Sequence, residues 1–212
     1  MTRRSTAILI SGSGSNMVAL ARAMQASDAP ARIDLVLSNR PDAGGLQKAA
    51  DMGIATAMID HRMFKGDRAA FDAAVDQALK AAGIELVALA GFMRILTAEM
   101  VGRWSGRMLN IHPSLLPAFK GLRTHEAALE ARCSLHGCTV HEVSPDLDAG
   151  QILGQAAVPV LTSDTTDSLA ARVLEMEHRL YPQVLERFAR DPEATRREPV
   201  AFAHWNMPIA SR

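Results

Sequence analysis

Short apolar, β-branched runs return through the first half of the chain, each followed by a stretch of different period. This alternation constrains the fold more than any other feature. "TAILIS" runs into glycine and reads as a buried strand. From Ser15 to Gln25, Met17, Leu20, Ala21 and Met24 then share one helical face. "ARIDLVLSN", "IATAMI", "IELVALAGF" and "GRMLNIH" repeat the strand signal. Helical segments at "DAGGLQKAADMG", Asp67–Ala82 and "TAEMVGRW" separate them, with Gly53 and Gly83 as stops. Strands that are apolar on both faces need cover on both. The pattern therefore predicts an α/β fold, a doubly wound and mostly parallel sheet. Ligands of such sheets sit beyond the carboxyl ends of the strands.

Past Gly121 the texture changes. "THEAALEA" reads as a helix, and "HGCTVHEVSP" and "GQILGQAAVPV" as an antiparallel strand pair joined by "SPDLDAG". A long amphipathic helix follows in "DTTDSLAARVLEMEHRLYPQVLERFAR". Pro182 inside it predicts a kink or a boundary near Tyr181. "PVAF" is a candidate last strand. No repeat or linker interrupts the 212 residues, so residues 1–212 are read as a single domain whose core needs no staples.

Composition narrows the function. Lys+Arg and Asp+Glu both number 23, a formal charge of zero that gives no support for broad polyanion binding. Aromatic residues make up 4%, which argues against stacking platforms for single-stranded nucleic acid. Cys133 and Cys138 imply neither a disulfide framework nor a zinc site, and fit small half-buried residues of a reducing compartment. The apolar run Ala7–Ile10 is too short for a signal segment, and nothing approaches the roughly 20 apolar residues of a membrane span. A soluble cytoplasmic protein is expected, with neither a nucleic-acid nor a membrane partner.

Motifs fall where the sheet would place a site. "SGSGSN" after the first strand feeds a helix N-terminus, whose free N–H groups attract anions. It is neither a full dinucleotide fingerprint nor a Walker loop. A plain tight turn is the alternative, and Ser13, Ser15 and Asn16 favour a phosphate monoester. "GFMRIL" sets Arg94 among Met93, Ile95 and Leu96 after the fourth strand, as pocket lining or as core. In "LNIHPSLLPAFKG", Asn110 and His112 are two apart on a strand and share a face. An amide N–H and an imidazole aimed at one atom can hold an oxyanion while a proton moves, and Pro113 and Pro117 stiffen the wall behind them. Asp148, in "DLDAG", is a turn former or, folded back, a carboxylate that orients and charges His112. His125, His136 and His141 are further polar candidates, but their spacing is poor for a metal, and no nucleophile elbow is present.

"SGSGSN", "LAGFMRIL", "LNIHPSLLPAFKG", "TVHEV", "LDAGQIL" and "EHRLYP" occur in the order found in the folate-dependent formyltransferases. The chain resembles that family from about residue 5 to the end of the long helix. "SGSGSN" and "EHRLYP" point to the phosphoribosylglycinamide formyltransferase (GAR transformylase) branch. The resemblance implies a Rossmann-like formyltransferase fold and transfer of a formyl group from 10-formyltetrahydrofolate to the amine of glycinamide ribonucleotide. It implies Asn110, His112 and Asp148 as the catalytic group, and Gly14, Ser15, Asn16 and Glu177 on the ribonucleotide. Arg68, Met93, Arg94, Ile95, Leu96 and Asn110 would face the folate, with no metal. The substrate-phosphate half would span about 1–100 and the catalytic and folate half about 85–190. A monomer or a homodimer is equally compatible. Arg123 and Gln151 depart from the family pattern, where histidine and proline are common. Methionyl-tRNA formyltransferases and formyltetrahydrofolate deformylases share the Asn/His/Asp set, but normally carry an extra domain not expected here.

Overall fold

A computed structural model describes residues 3–203. Its eight strands form one sheet in the order β3-β2-β1-β4-β5-β6-β7-β8. β1 (Arg4–Ile10), β2 (Ala31–Ser38), β3 (Ala55–Met58), β4 (Leu86–Leu89) and β5 (Met108–His112) run parallel. β6 (Leu135–Glu142) is antiparallel to both β5 and β7 (Ile152–Pro159), and β8 (Val200–Ala203) lies parallel to β7. The mostly parallel sheet, the antiparallel pair and the last strand all match the periodicity reading.

Helices cover both faces. Ile8 and Ile10 of β1 point to one side, where α1 (Ser15–Ala23), α2 (Gly44–Asp51), α5 (Thr124–Glu130) and α6 (Thr166–Arg190) pack. Ala7 and Leu9 point to the other, against α3 (Arg68–Ala81) and α4 (Ala98–Arg103). The period-2 alternation of a strand thus feeds two separate cores.

Pro182 does not bound the long helix, which runs unbroken from Thr166 to Arg190. An interior proline costs about 3 kcal/mol. Leu180, Tyr181, Val184, Leu185 and Phe188 are all fully buried, and each contributes about 1.5–3 kcal/mol when taken from water, so the stripe outweighs the lost N–H bond. Tyr181 also donates from its hydroxyl to the carbonyls of Leu89 (3.2 Å) and Leu109 (3.1 Å), tying α6 to β4 and β5. Two short elements escape the periodicity reading. They are a 3₁₀ turn at His61–Phe64, capped by Asp60, and α7 (Pro192–Arg197), capped by Asp191 with proline at its start. No helix of the described residues is long and apolar enough to cross a membrane.

Candidate active site

The strand order reverses between β1 and β4, and the loops that follow these strands part there. Ser11, Ser13, Gly14, Ser15, Asn16, Arg40, Ala90 and Met93 are among the residues lining a cleft of about 360 Å³ at this point. Gly14 caps α1 in the left-handed region (φ 72°), and a Cβ on it would lie 2.8 Å from the Cα of Gly45. Only glycine allows that approach, which holds the α1 and α2 N-termini together through a Gly45 N–H to Gly12 carbonyl bond of 3.0 Å. No side chain caps α1, so its first N–H groups remain available to the cleft. Lys48 adds a cation nearby, its ammonium donating to the Ser13 carbonyl at 2.8 Å.

Ser11 braces this end of the sheet. Its hydroxyl donates to Asn39 Oδ1 at 2.6 Å and accepts the Met93 N–H at 2.7 Å, joining the loops after β1, β2 and β4. Sequence reasoning missed Ser11 and Asn39 because neither carries a signal without knowledge of which strands adjoin. Asn16 donates from Nδ2 to Glu177 Oε2 at 2.6 Å across the α1–α6 contact, while its Oδ1 is buried without a partner. Burial pushes the Glu177 carboxyl up to about 7, against the opposing pull of the Asn16 bond. Both residues are buried; Asn16 lines the cleft and Glu177 backs it, so the pair forms a floor beside the glycine loop.

The catalytic candidates converge one strand away, since Leu89 of β4 lies in register with Asn110 of β5. The buried His112 ring places Nε2 at 2.9 Å from the Phe119 carbonyl and Nδ1 at 3.4 Å from Asp148 Oδ2. Both neighbours are acceptors, so Nε2 carries a proton, and a second proton on Nδ1 would face the carboxylate. Asp148 adopts a left-handed backbone (φ 47°) in the β6–β7 loop, and its Oδ2 accepts the Gly121 N–H at 2.8 Å. That bond ties the loop to the end of the Pro113–Gly121 segment. Asn110 Nδ2 lies 3.1 Å from His141 Nε2, and the same His141 nitrogen lies 3.7 Å from Asp148 Oδ1.

The structure therefore brings Asn110, His112 and Asp148 together, and groups Gly14, Ser15, Asn16 and Glu177 in the adjoining floor and loop. The candidates for the folate side are more dispersed. Met93 lines the cleft and Ile95 is exposed, whereas Leu96 turns into the core beside Phe92 and Met100. Arg94 stacks on Phe71 at 6.0 Å, with a buried Nε that has no partner. Arg68 opens α3 as an exposed cation without an ion pair or hydrogen bond among the described residues. Leu122 and Leu147 extend the exposed apolar surface on the two loops that the Asp148–Gly121 bond joins.

Arg123 and Gln151 lie outside this cluster. The first is the left-handed N-cap of α5, paired with Glu126, and the second donates to the Arg196 carbonyl at 3.1 Å. His125 and His136 contact each other at 3.1 Å, and burial lowers His136 to about 4. Cys138 is buried, and burial with the Glu177 charge pushes its thiol up, away from reactivity. Cys133 and Cys138 are both free. Among the described residues no group of His, Cys, Asp or Glu side chains is arranged to hold a metal ion.

Comparison with known proteins adds independent information. A family model described as formyl transferase matches residues 4–185. The chain is 43% identical over 182 residues to phosphoribosylglycinamide formyltransferase of Escherichia coli, covering 86% of this chain and 85% of that one. It is 49% identical over 180 residues to the human trifunctional purine biosynthetic protein adenosine-3, covering 85% of this chain and 18% of the relative's length. A crystal structure of phosphoribosylglycinamide formyltransferase from Brucella melitensis superposes with a TM-score of 0.84 at 50% identity, covering 89% of this chain and 96% of that one.

Proposed function

The chain belongs to the formyl transferase family, on the branch of the phosphoribosylglycinamide formyltransferases, and we propose that it formylates the amine of glycinamide ribonucleotide in purine biosynthesis, with 10-formyltetrahydrofolate as donor. One observation carries the reading. An amide, an imidazole and a carboxylate meet at the end of β5, next to a glycine loop whose helix N-terminus is open to an anion.

In this reading the ribonucleotide phosphate lies on the N–H groups of Gly14, Ser15 and Asn16, with the Glu177 carboxylate accepting from the sugar hydroxyls. The folate lies across the apolar rim formed by Met93 and Ile95, with Arg68 toward its acidic tail and Arg94 and Leu96 supporting the wall. The phosphate side draws on residues of about 1–100, and the catalytic and folate side on about 85–190.

The amine of the ribonucleotide attacks the formyl carbon and a C–N bond forms. Negative charge then gathers on the formyl oxygen as a tetrahedral oxyanion. The second Asn110 N–H and the His112 ring stabilise that charge, and the Asp148 carboxylate at 3.4 Å from Nδ1 orients the ring. As the bond to the folate nitrogen breaks, the proton lost by the amine is delivered to that nitrogen, by way of Asp148, His112 and water. The acyl group moves directly between two amines, so the site needs no nucleophilic side chain.

The test is a folate absorbance assay on the purified chain with both substrates, and with the ribonucleotide omitted. Turnover that requires both substrates supports the transferase. Deformylation without the acceptor would assign the same three residues to a hydrolase, and binding without turnover would sink the catalytic reading.

A further inference from the structure

We infer that His141 is a positioning residue of the transfer site, holding the Asn110 amide in the one orientation that presents an N–H to the reacting oxygen. This rests on the function proposed above.

Asn110 on β5 and His141 on β6 are direct partners across the antiparallel ladder. Side chains so placed stand about 5 Å apart at Cβ and share a face of the sheet. The His141 Nδ1 lies 2.8 Å from the Glu142 carbonyl, which can only accept, so Nδ1 carries the proton. Nε2 of the neutral ring is then an acceptor. At 3.1 Å it meets Asn110 Nδ2, which can only donate. Rotating the amide by half a turn would set Oδ1 against the Nε2 lone pair. The ring thus reads the amide and selects one of its two orientations. One N–H is spent on His141, and the other has no hydrogen-bond partner among the described residues.

The device depends on the ring staying neutral. If Nε2 gains a proton it becomes a donor, its partners become Asp148 Oδ1 at 3.7 Å and the flipped Asn110 Oδ1, and the amide leaves the orientation that the neutral ring selects. Charged and titratable groups face the ring from several elements. His112 comes from β5, Lys120 from the segment after it and Asp148 from the β6–β7 loop. Glu142 on β6 directs its carboxylate to Arg196 instead, at 2.6 Å. Burial, with His112 and Lys120 acting in the same sense, holds the ring below the ordinary histidine range, against the Glu142 carbonyl and Asp148. The neutral form is therefore the working form near neutral pH, and protonation on the acid side switches the donor off.

The experiment compares His141→Gln and His141→Leu with wild type in the two-substrate assay between pH 5 and 9. Glutamine keeps an acceptor near the Nε2 position and cannot titrate, whereas leucine removes it. His141→Leu is expected to lower kcat about 10- to 100-fold, with both KM values within about twofold, as for loss of an orienting partner. His141→Gln is expected to recover most of that loss at pH 8 and to shift the acid limb of kcat to lower pH. Wild-type kcat in His141→Leu, or an acid limb in His141→Gln at the wild-type position, overturns the role. Nitrogen NMR of the wild-type His141 ring supplies a reading independent of turnover. An Nδ1–H tautomer at pH 8 supports the inference even if the transferase assay fails, and an Nε2–H tautomer overturns it even if the assay succeeds.

Discussion

Glu177 makes a stability prediction whose sign and size follow from its surroundings. Burial raises this carboxyl from 4.5 to about 7. Between those values the native chain binds more protons than the unfolded chain, so stability falls as pH rises through this window. Below 4.5 both states are protonated and nothing is lost. Above about 7 both are ionised and the cost is complete. At about 1.36 kcal/mol per pH unit, the displacement corresponds to roughly 3 kcal/mol in total, of which about 2–3 kcal/mol is lost between pH 5 and 8. Glu177→Gln is nearly isosteric and removes the ionisation. Its new amide can also donate to Asn16 Oδ1, which is buried without a partner.

The measurement is urea unfolding of wild type and Glu177→Gln at pH 5 and pH 8, without ligand. Other titrating groups contribute equally to both proteins, so the difference between the two isolates Glu177. The variant should gain about 2–3 kcal/mol on wild type as the pH goes from 5 to 8, with unchanged m-values. A difference that stays constant to within about 0.5 kcal/mol would refute the reasoning, since it would mean that the carboxyl is solvated in the folded chain. The stability this residue costs is retained, on the proposed function, because an ionised carboxylate at the cleft floor is the acceptor for substrate hydroxyls.

Three further outcomes are expected. Asp148→Asn keeps an acceptor for the Gly121 N–H but loses the charge beside His112, so kcat should drop about 10²- to 10⁴-fold with little change in Tm; full turnover would remove its role. Tyr181→Phe deletes the hydroxyl that bridges the Leu89 and Leu109 carbonyls and should cost about 1–2 kcal/mol in urea unfolding, which an unchanged midpoint would contradict. Gly150→Ala would place a Cβ 1.8 Å from the Glu142 carbonyl oxygen, forcing the loop that carries Asp148 to move. Steady-state kinetics should show kcat reduced by about 10²-fold while the KM for the ribonucleotide, which the proposed function places at the glycine loop, stays near wild type; equal losses in both would mean a general disruption.

The strand–helix alternation was readable because each strand is apolar on two faces and each covering helix on one, and those periods survive without any knowledge of contacts. The boundary expected near Tyr181 fails for a related reason. A local rule about one N–H bond was applied where a stripe of buried side chains decides the outcome, and that stripe is a property of packing on β6, β7 and α1. Leu96 shows the same limit on the site. Its neighbours Met93 and Ile95 are exposed while it is buried, a difference set by the irregular backbone after β4 that no period describes.

For the site, parallel strands do much of the inference in advance. Because β1, β4 and β5 all end on one edge, any chemistry-bearing residue just past a strand end joins the others automatically, which is why "SGSGSN", "GFMRIL" and "NIHPS" could be grouped before their contacts were known. The antiparallel strand offers no such shortcut. His141 faces Asn110 only in the observed β5–β6 register. Moving that register by one residue would set Glu142 or Val140 opposite Asn110 instead and turn the histidine to another partner. The register is pinned by bonds that no motif announces, among them those of Thr139, the partner of His112, whose Oγ1 bonds the Leu116 N–H and the Ser114 carbonyl at 3.0 and 2.7 Å. A motif can announce that a strand carries an amide and an imidazole. Which residue holds that amide in place is decided by how the next strand is laid against it.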